Sequence, residues 1–388
     1  MPIRRTSIAA LALLPALAAT LSACAEPELG PEPLSEEALA AVTDNAGAPK
    51  QDLARQVDDL FAMQQEIGET RALVVLADGA IAAERYGEGY DAQTALISWS
   101  MAKTITAVMV GMLVADGRLR LDESAPVALW QRPGDARGEI TLRQLLQMRS
   151  GLRHTEAGDP PYESSEVRML FLDGRDDMAK WAEEQPLEAE PGASFEYSSN
   201  TTVILADIAA RVLTDSDDPE LRRRAVAEYL EARLFGPLGM ASMVPEFDAS
   251  GTLIGGSLIH GNARDWAKMG EFLRLGGRAP GGEQLVPKRW IDQMLTPSPR
   301  ADHYGFQVWL NRKDSKSTSS DTESEKPHPI FPGRAPETAF SMIGHMGQYV
   351  ITSPEQRLTV VRLGHSNSTE RKAMMSEIAD IFELYPVR

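Results

Sequence analysis

The strongest constraint on this 388-residue chain is where its strand signals fall. Residues 71–76 form an apolar, valine-bearing run. Asp78-Gly79 is a hairpin turn, and residues 80–86 read as the return strand. The next clear strand signals lie near the other end, at 304–310, 338–345, 349–352 and 357–363, with a break at Ser353-Pro354. Helical spacing dominates elsewhere: 52–63 before the hairpin, then 100–115, 141–150, 176–184, 202–213, 220–234, 263–275 and 287–294, and finally 369–384. A doubly wound fold needs alternating strands and helices, which the middle does not supply. The pattern predicts an α+β fold. An antiparallel sheet flanked by helices would form from about 51–115 and 295–388, with an all-helical lobe inserted over about 116–294. Residues 220–234 are expected to turn Arg222, Arg223 and Arg224 to water, and the serine-rich 311–336 stretch to be a mobile surface loop.

Ahead of this domain stands a targeting segment. Arg4 and Arg5 precede an apolar stretch, 8–21, interrupted by Pro15. Its length suits a signal peptide rather than a membrane span. Leu21-Ser22-Ala23-Cys24 follows and resembles a bacterial lipobox, with the chain's single cysteine at the acylation position. Residues 1–23 are therefore expected to be removed and Cys24 lipidated. Ala25, rather than aspartate, favours outer-membrane attachment facing the periplasm. Residues 24–50 hold several prolines and glycines among acids and read as a flexible tether, with a short helix possible over 35–42 and Ser35 as its cap. A formal net charge of −17 disfavours nucleic acid as a partner. With Cys24 assigned to lipid, the folded part has no disulfide and no thiolate metal site.

Inside the helical pattern at 100–115 stand two polar residues, Ser100 and Lys103, three apart and so on one face. A lysine among Met, Ala and Val is disfavoured as a charge unless something uses it. A desolvated lysine beside a hydroxyl is one way to activate a serine. The alternative is a capping serine and a lysine that reaches the surface along its apolar stem.

Further segments carry a resemblance. Gly117, Leu119, Leu121, Asp122, Pro126 and Val127 form one turn pattern. Residues 140–152 (ITLRQLLQMRSGL) form a second, Pro191-Gly192 through Phe195, Tyr197 and Ser198 a third, and Gly344-His345-Met346-Gly347-Gln348 a fourth. Together with Ser100-Met101-Ala102-Lys103 they resemble the serine β-lactamase/DD-peptidase superfamily in its class C-like branch. That branch contains class C β-lactamases, D-alanyl-D-alanine carboxypeptidases, β-lactamase-like esterases and 6-aminohexanoate-dimer hydrolases. The likeness covers roughly residues 55–385.

The resemblance implies an acyl-enzyme at Ser100, with Lys103 and Tyr197 as its proton-handling partners. It implies that Lys103 either accepts the Ser100 proton or holds a Tyr197 phenolate by its charge, the phenolate being a general base that could afterwards protonate the leaving group. It implies that Gly347 lets a strand run close to substrate, and that the Gln348 N–H completes an oxyanion hole with that of Ser100. His345 would orient substrate or tune Tyr197, Ser199 would stand where the family asparagine contacts substrate, and Tyr349, Trp99 and Trp181 would line the pocket. Two departures bear on substrate. Tyr-Ser-Ser replaces Tyr-x-Asn, and the largely neutral His345 replaces the lysine of Lys-Thr-Gly. Both favour the esterase and nylon-oligomer branch over an efficient β-lactamase.

The leading expectation is thus a lipid-anchored serine hydrolase acting on a small ester or amide. A cell-wall D-alanyl-D-alanine carboxypeptidase or endopeptidase is the second, and an inactive binding lipoprotein the third. His260, Asp207 and Glu183 show no metal-ligand spacing, so no metal and no cofactor are expected.

Overall fold

The computed structural model describes residues 33–313, 315 and 330–388. The expected signal segment, Cys24 and most of the 311–336 stretch lie outside them.

The two chain ends meet in one sheet. β1 (Glu69–Ala77) and β2 (Ala80–Tyr86) are joined at Asp78 and Gly79, with φ of 51° and 80°. That pair of left-handed residues is what a two-residue hairpin turn requires. Two short strands, β3 (Leu96–Ile97) and β4 (Val244–Pro245), flank β5 (Ile259–Gly261) in a small separate sheet. The main sheet is completed by β6 (Trp309–Leu310), β7 (Phe340–Gly344), β8 (Gln348–Ser353) and β9 (Leu358–His365). Its order is β2-β1-β9-β8-β7-β6, antiparallel throughout.

Both faces of this sheet are covered, so its strands are apolar on both sides. Ala72, Val74 and Leu76 of β1 join a core with Met101, Ala102 and the helix Ala263–Arg274. Leu73 and Val75 join a second core with Leu53, Val57, Ile378 and Phe382 of the helices Lys50–Ala62 and Glu370–Glu383. The alternation follows from side chains pointing to opposite faces of a strand. Each large apolar side chain buried this way stabilises the fold by about 1.5–3 kcal/mol.

The expected α+β architecture is observed, with five differences. The lobe over 116–294 is largely rather than wholly helical, because β4 and β5 lie within it and pair with each other. The tether is shorter than expected. Ser35 caps a helix, Glu36–Ala41, and Ala38, Val42 and Ala46 are buried, so the packed body begins near Leu34 rather than 51. The expected strand over 304–310 contracts to Trp309–Leu310, because the preceding residues fold into turns around a buried Gln307. Arg222 is buried rather than wet. Its guanidinium pairs with Asp207, which also accepts from Arg211 at 2.6 Å. Finally, residues 153–175, which lie outside the helical spacings read from the sequence, contain a helix, Ser165–Phe171, capped by Ser164.

Candidate active site

Ser100 lies in a tight turn, Trp99–Met101, that leads into the buried helix Ala102–Ala115. Trp99 has a φ of 48°, uncommon for a bulky residue and costly in isolation. The turn is held on one side by the Ser98 N–H, which donates to the Ile259 carbonyl of β5 at 3.2 Å. On the other side β7 packs so closely that a Cβ on Gly344 would collide with the Ser98 carbonyl oxygen.

Lys103 is 1% exposed. Its Nζ lies 2.9 Å from Ser100 Oγ, 2.7 Å from Ser199 Oγ and 2.8 Å from the Gly256 carbonyl. Gly255 and Gly256 let their loop come this near. A Cβ on Gly256 would sit 2.8 Å from the Ser199 carbonyl oxygen, and one on Gly255 would overlap the Thr106 hydroxyl. Burial pushes the amine's pKa down, while Glu156 and Glu166 pull it back up. The same three contacts serve both charge states. A neutral amine gives two hydrogens to Ser199 and Gly256 and turns its lone pair to Ser100. The ammonium donates to all three.

Tyr197 stands over the same point, its ring centroid 4.9 Å from Lys103 Nζ. It is walled by Trp309 at 5.1 Å and Tyr304 at 5.8 Å. The expected phenolate is not favoured here. Burial raises the Tyr197 pKa well above the usual phenol range, Tyr304 and Glu156 push the same way, and only the hydrogen bond with Ser100 opposes them. The neutral phenol is therefore the resting form.

Ser199 begins the helix Ser199–Leu213. Its N–H donates to Glu156 Oε2 at 2.6 Å and its hydroxyl to Glu156 Oε1 at 2.7 Å. Glu166 Oε1 lies 3.1 Å from the same hydroxyl. Burial and then Glu156 raise the Glu166 pKa to about 8. Neither glutamate was found in the sequence. Both lie in the 153–175 segment, where no motif marks them, and only folding brings them to Lys103.

The β7–β8 hairpin redistributes the other expected roles. Gly344, not Gly347, is the glycine pressed against the nucleophile turn. Gly347, at φ 83°, lies over Arg362, whose guanidinium nitrogen would be 2.7 Å from an added Cβ. Gln348 faces Gly344 in register. Its side-chain amide donates to the carbonyls of His345, Met346 and Gly364 and accepts the Gly364 N–H, so that side chain holds the hairpin. His345 is exposed and meets Trp99 edge-on at 5.4 Å. Desolvation and then Arg371 lower its pKa, so it is neutral at pH 7. Tyr349 does not line the cleft. It is 3% exposed in the core on the opposite sheet face from Met101 and Ala102, because its side chain takes the other parity on β8.

This geometry can be set beside known proteins. The family model described as Beta-lactamase matches residues 57–381. The 6-aminohexanoate-dimer hydrolase of Paenarthrobacter ureafaciens is 27% identical over 266 residues, covering 64% of this chain and 62% of that protein. Solved structures share the fold. A Bacillus anthracis protein, named provisionally as a 6-aminohexanoate-dimer hydrolase, has a TM-score of 0.64 at 22% identity, covering 84% of this chain and 83% of its own. The penicillin-binding protein of Bacillus halodurans has a TM-score of 0.59 at 16% identity, covering 83% of this chain and 100% of its own. A sheet built from both chain ends, a Ser-x-x-Lys turn with its lysine buried and a family match across most of the chain agree: this chain belongs to the Beta-lactamase family, within the serine β-lactamase/DD-peptidase superfamily, and is similar to 6-aminohexanoate-dimer hydrolases.

Proposed function

We propose that this protein is a serine hydrolase that cleaves a small ester or amide through an acyl-enzyme at Ser100. The observation that carries the reading is the buried Lys103 amine 2.9 Å from Ser100 Oγ. Burial lowers the amine's proton affinity. That makes it the group able to take the Ser100 proton as Oγ attacks the carbonyl carbon. The neutral Tyr197 phenol, hydrogen-bonded to Ser100, then gives its proton to the leaving oxygen or nitrogen and recovers one from Lys103. Water reverses the sequence and releases the acid. The Ser100 N–H and an N–H of the Gly344–Gln348 hairpin, that of Gln348 as first expected or that of His345, would hold the oxyanion. The exposed neutral His345 offers no fixed cation for a substrate carboxylate, which favours esters and linear amides over β-lactams. The family's envelope hydrolases and the lipobox at Cys24 suit an extracytoplasmic protein held by lipid.

The test compares residues 26–388 with a Ser100→Ala variant. Short-chain p-nitrophenyl esters, 6-aminohexanoate dimer, nitrocefin and a D-Ala-D-Ala peptide are the substrates. Ester or linear-amide turnover, with a fluorophosphonate adduct on Ser100, is expected for the parent only. Folded parent protein that takes no adduct at Ser100 would overturn the reading.

A further inference from the structure

Two carboxylates meet one hydroxyl beside the lysine, and hydrogen counting distinguishes them. Ser199 Oγ has one hydrogen to give and two lone pairs to receive with. One lone pair takes the Lys103 hydrogen at 2.7 Å. The hydroxyl hydrogen goes to Glu156 Oε1 at 2.7 Å, the shorter of its two carboxyl contacts, and Glu156 Oε2 accepts the Ser199 N–H at 2.6 Å. Both Glu156 oxygens thus accept, the pattern of a carboxylate. It also sits at the N-terminus of the 15-residue helix Ser199–Leu213, where the helix dipole favours an anion. With the hydroxyl hydrogen given to Glu156, Glu166 Oε1 at 3.1 Å completes the set as a protonated acid that donates its own hydrogen to Ser199 Oγ.

From this we infer that Glu156 is a positioning residue: a fixed carboxylate that, through Ser199, holds the Lys103 amine on Ser100 and sets the pH at which that amine takes the nucleophile's proton. Glu166 is its neutral companion. The inference rests on the serine-hydrolase reading above. Glu156 Oε1 lies 3.7 Å from Lys103 Nζ. Its charge is felt throughout the site. It raises the proton affinity of Lys103 on the nucleophile helix, of Tyr197 before the Ser199 helix, of Tyr304, of Glu166 on the helix Ser165–Phe171, and of His345 on the hairpin. His154 is also buried nearby, against Thr201, but burial holds its pKa down to about 4, so it adds no charge at neutral pH.

The test measures the rate of fluorophosphonate labelling of Ser100 against pH, in the full mature chain. This needs no knowledge of the natural substrate. The parent rate should rise with pH as Lys103 loses its proton. Glu156→Gln removes the anion but keeps the shape. Its rising limb should move to lower pH by roughly one to three units, the range for unit charges at this separation screened between bulk water and a protein surface. Glu156→Asp restores the charge and should return the limb toward the parent position. Glu166 is neutral below its pKa of about 8, so Glu166→Gln should move the limb's midpoint by clearly less than Glu156→Gln does. A limb that stays put in Glu156→Gln overturns the inference while the hydrolase reading stands. A shift in Glu166→Gln as large as that expected for Glu156→Gln assigns the counter-charge to Glu166 and also overturns it, even if Glu156→Gln does not fold. Absence of any adduct on the folded parent overturns both readings at once.

Discussion

Gly344 is the position where one methyl group tests the site most sharply. It ends β7 against the carbonyl of Ser98, two residues before the nucleophile. A Cβ there would sit 2.8 Å from Gln348 Cβ and closer still to the Ser98 oxygen. Gly344 needs no left-handed backbone, so Gly344→Ala brings overlap without a φ penalty. Relieving the tighter overlap separates the hairpin from the Trp99–Met101 turn by about 1 Å, and misplacement of that size lowers rate by on the order of 10²-fold. If the hairpin supplies an oxyanion donor, losing it costs about 10²–10³-fold in kcat. The fold should suffer less, because an overpacked site typically loses about 1–3 kcal/mol. Ester turnover, or the Ser100 labelling rate, would be measured beside urea unfolding of the same preparation. The expected result is a folded protein, destabilised by 3 kcal/mol or less on that scale, whose rate falls at least a hundredfold, on the order of a 1 Å misplacement. A folded variant with a rate within threefold of the parent, far short of the estimate for a 1 Å displacement, would refute the placing of this hairpin in the catalytic machinery.

Three further outcomes follow from buried groups. Arg362 is fully buried and donates to Thr70 Oγ at 3.1 Å, the Gly347 carbonyl at 2.9 Å and the Glu69 carbonyl at 2.8 Å. Arg362→Lys cannot reproduce that fork and should lower stability by about 2–4 kcal/mol, read from the urea midpoint. Asp207 joins Arg222 and Arg211 in the helical lobe. Asp207→Asn leaves the buried Arg222 charge without its counter-ion and should cost about 3–5 kcal/mol, read from thermal unfolding. Burial lowers the His154 pKa from 6.5 to about 4, so the unfolded chain takes that proton first as pH falls. Its share of stability is full above pH 6.5 and is lost progressively between there and pH 4, by about 3 kcal/mol in all. His154→Gln should therefore flatten the stability loss between pH 7 and pH 4.5, and an unchanged slope would count against a neutral buried imidazole.

The sequence alone carried the architecture and the nucleophile pair. Alternation and periodicity are local properties, so the hairpin at Asp78-Gly79, the terminal strands and the helical middle were all legible, as was the α+β sheet they imply. Ser100 and Lys103 stand one turn apart on a single helical pattern, so their meeting needed no tertiary knowledge. Tyr197 was found only through the resemblance of its segment to a family motif. Tertiary structure decided the rest. Glu156 and Glu166 come to Lys103 from a segment more than fifty residues away, and hydrogen bonding at Ser199 gives them different protonation states. Glycine roles at 344 and 347 could not be divided in advance, because a glycine is required by whatever packs against it: the Ser98 carbonyl in one case, the Arg362 guanidinium in the other. The Tyr197 charge state also turned on the fold. Proximity to a lysine favours a phenolate, but packing against Trp309 and Tyr304 takes the ring partly out of the water that would solvate it, and desolvation is the larger effect. Sequence spacing identified which groups lie along one helix face, and the physical reason it stopped there is that proton affinity depends on the dielectric and charges supplied by chain segments far away in sequence.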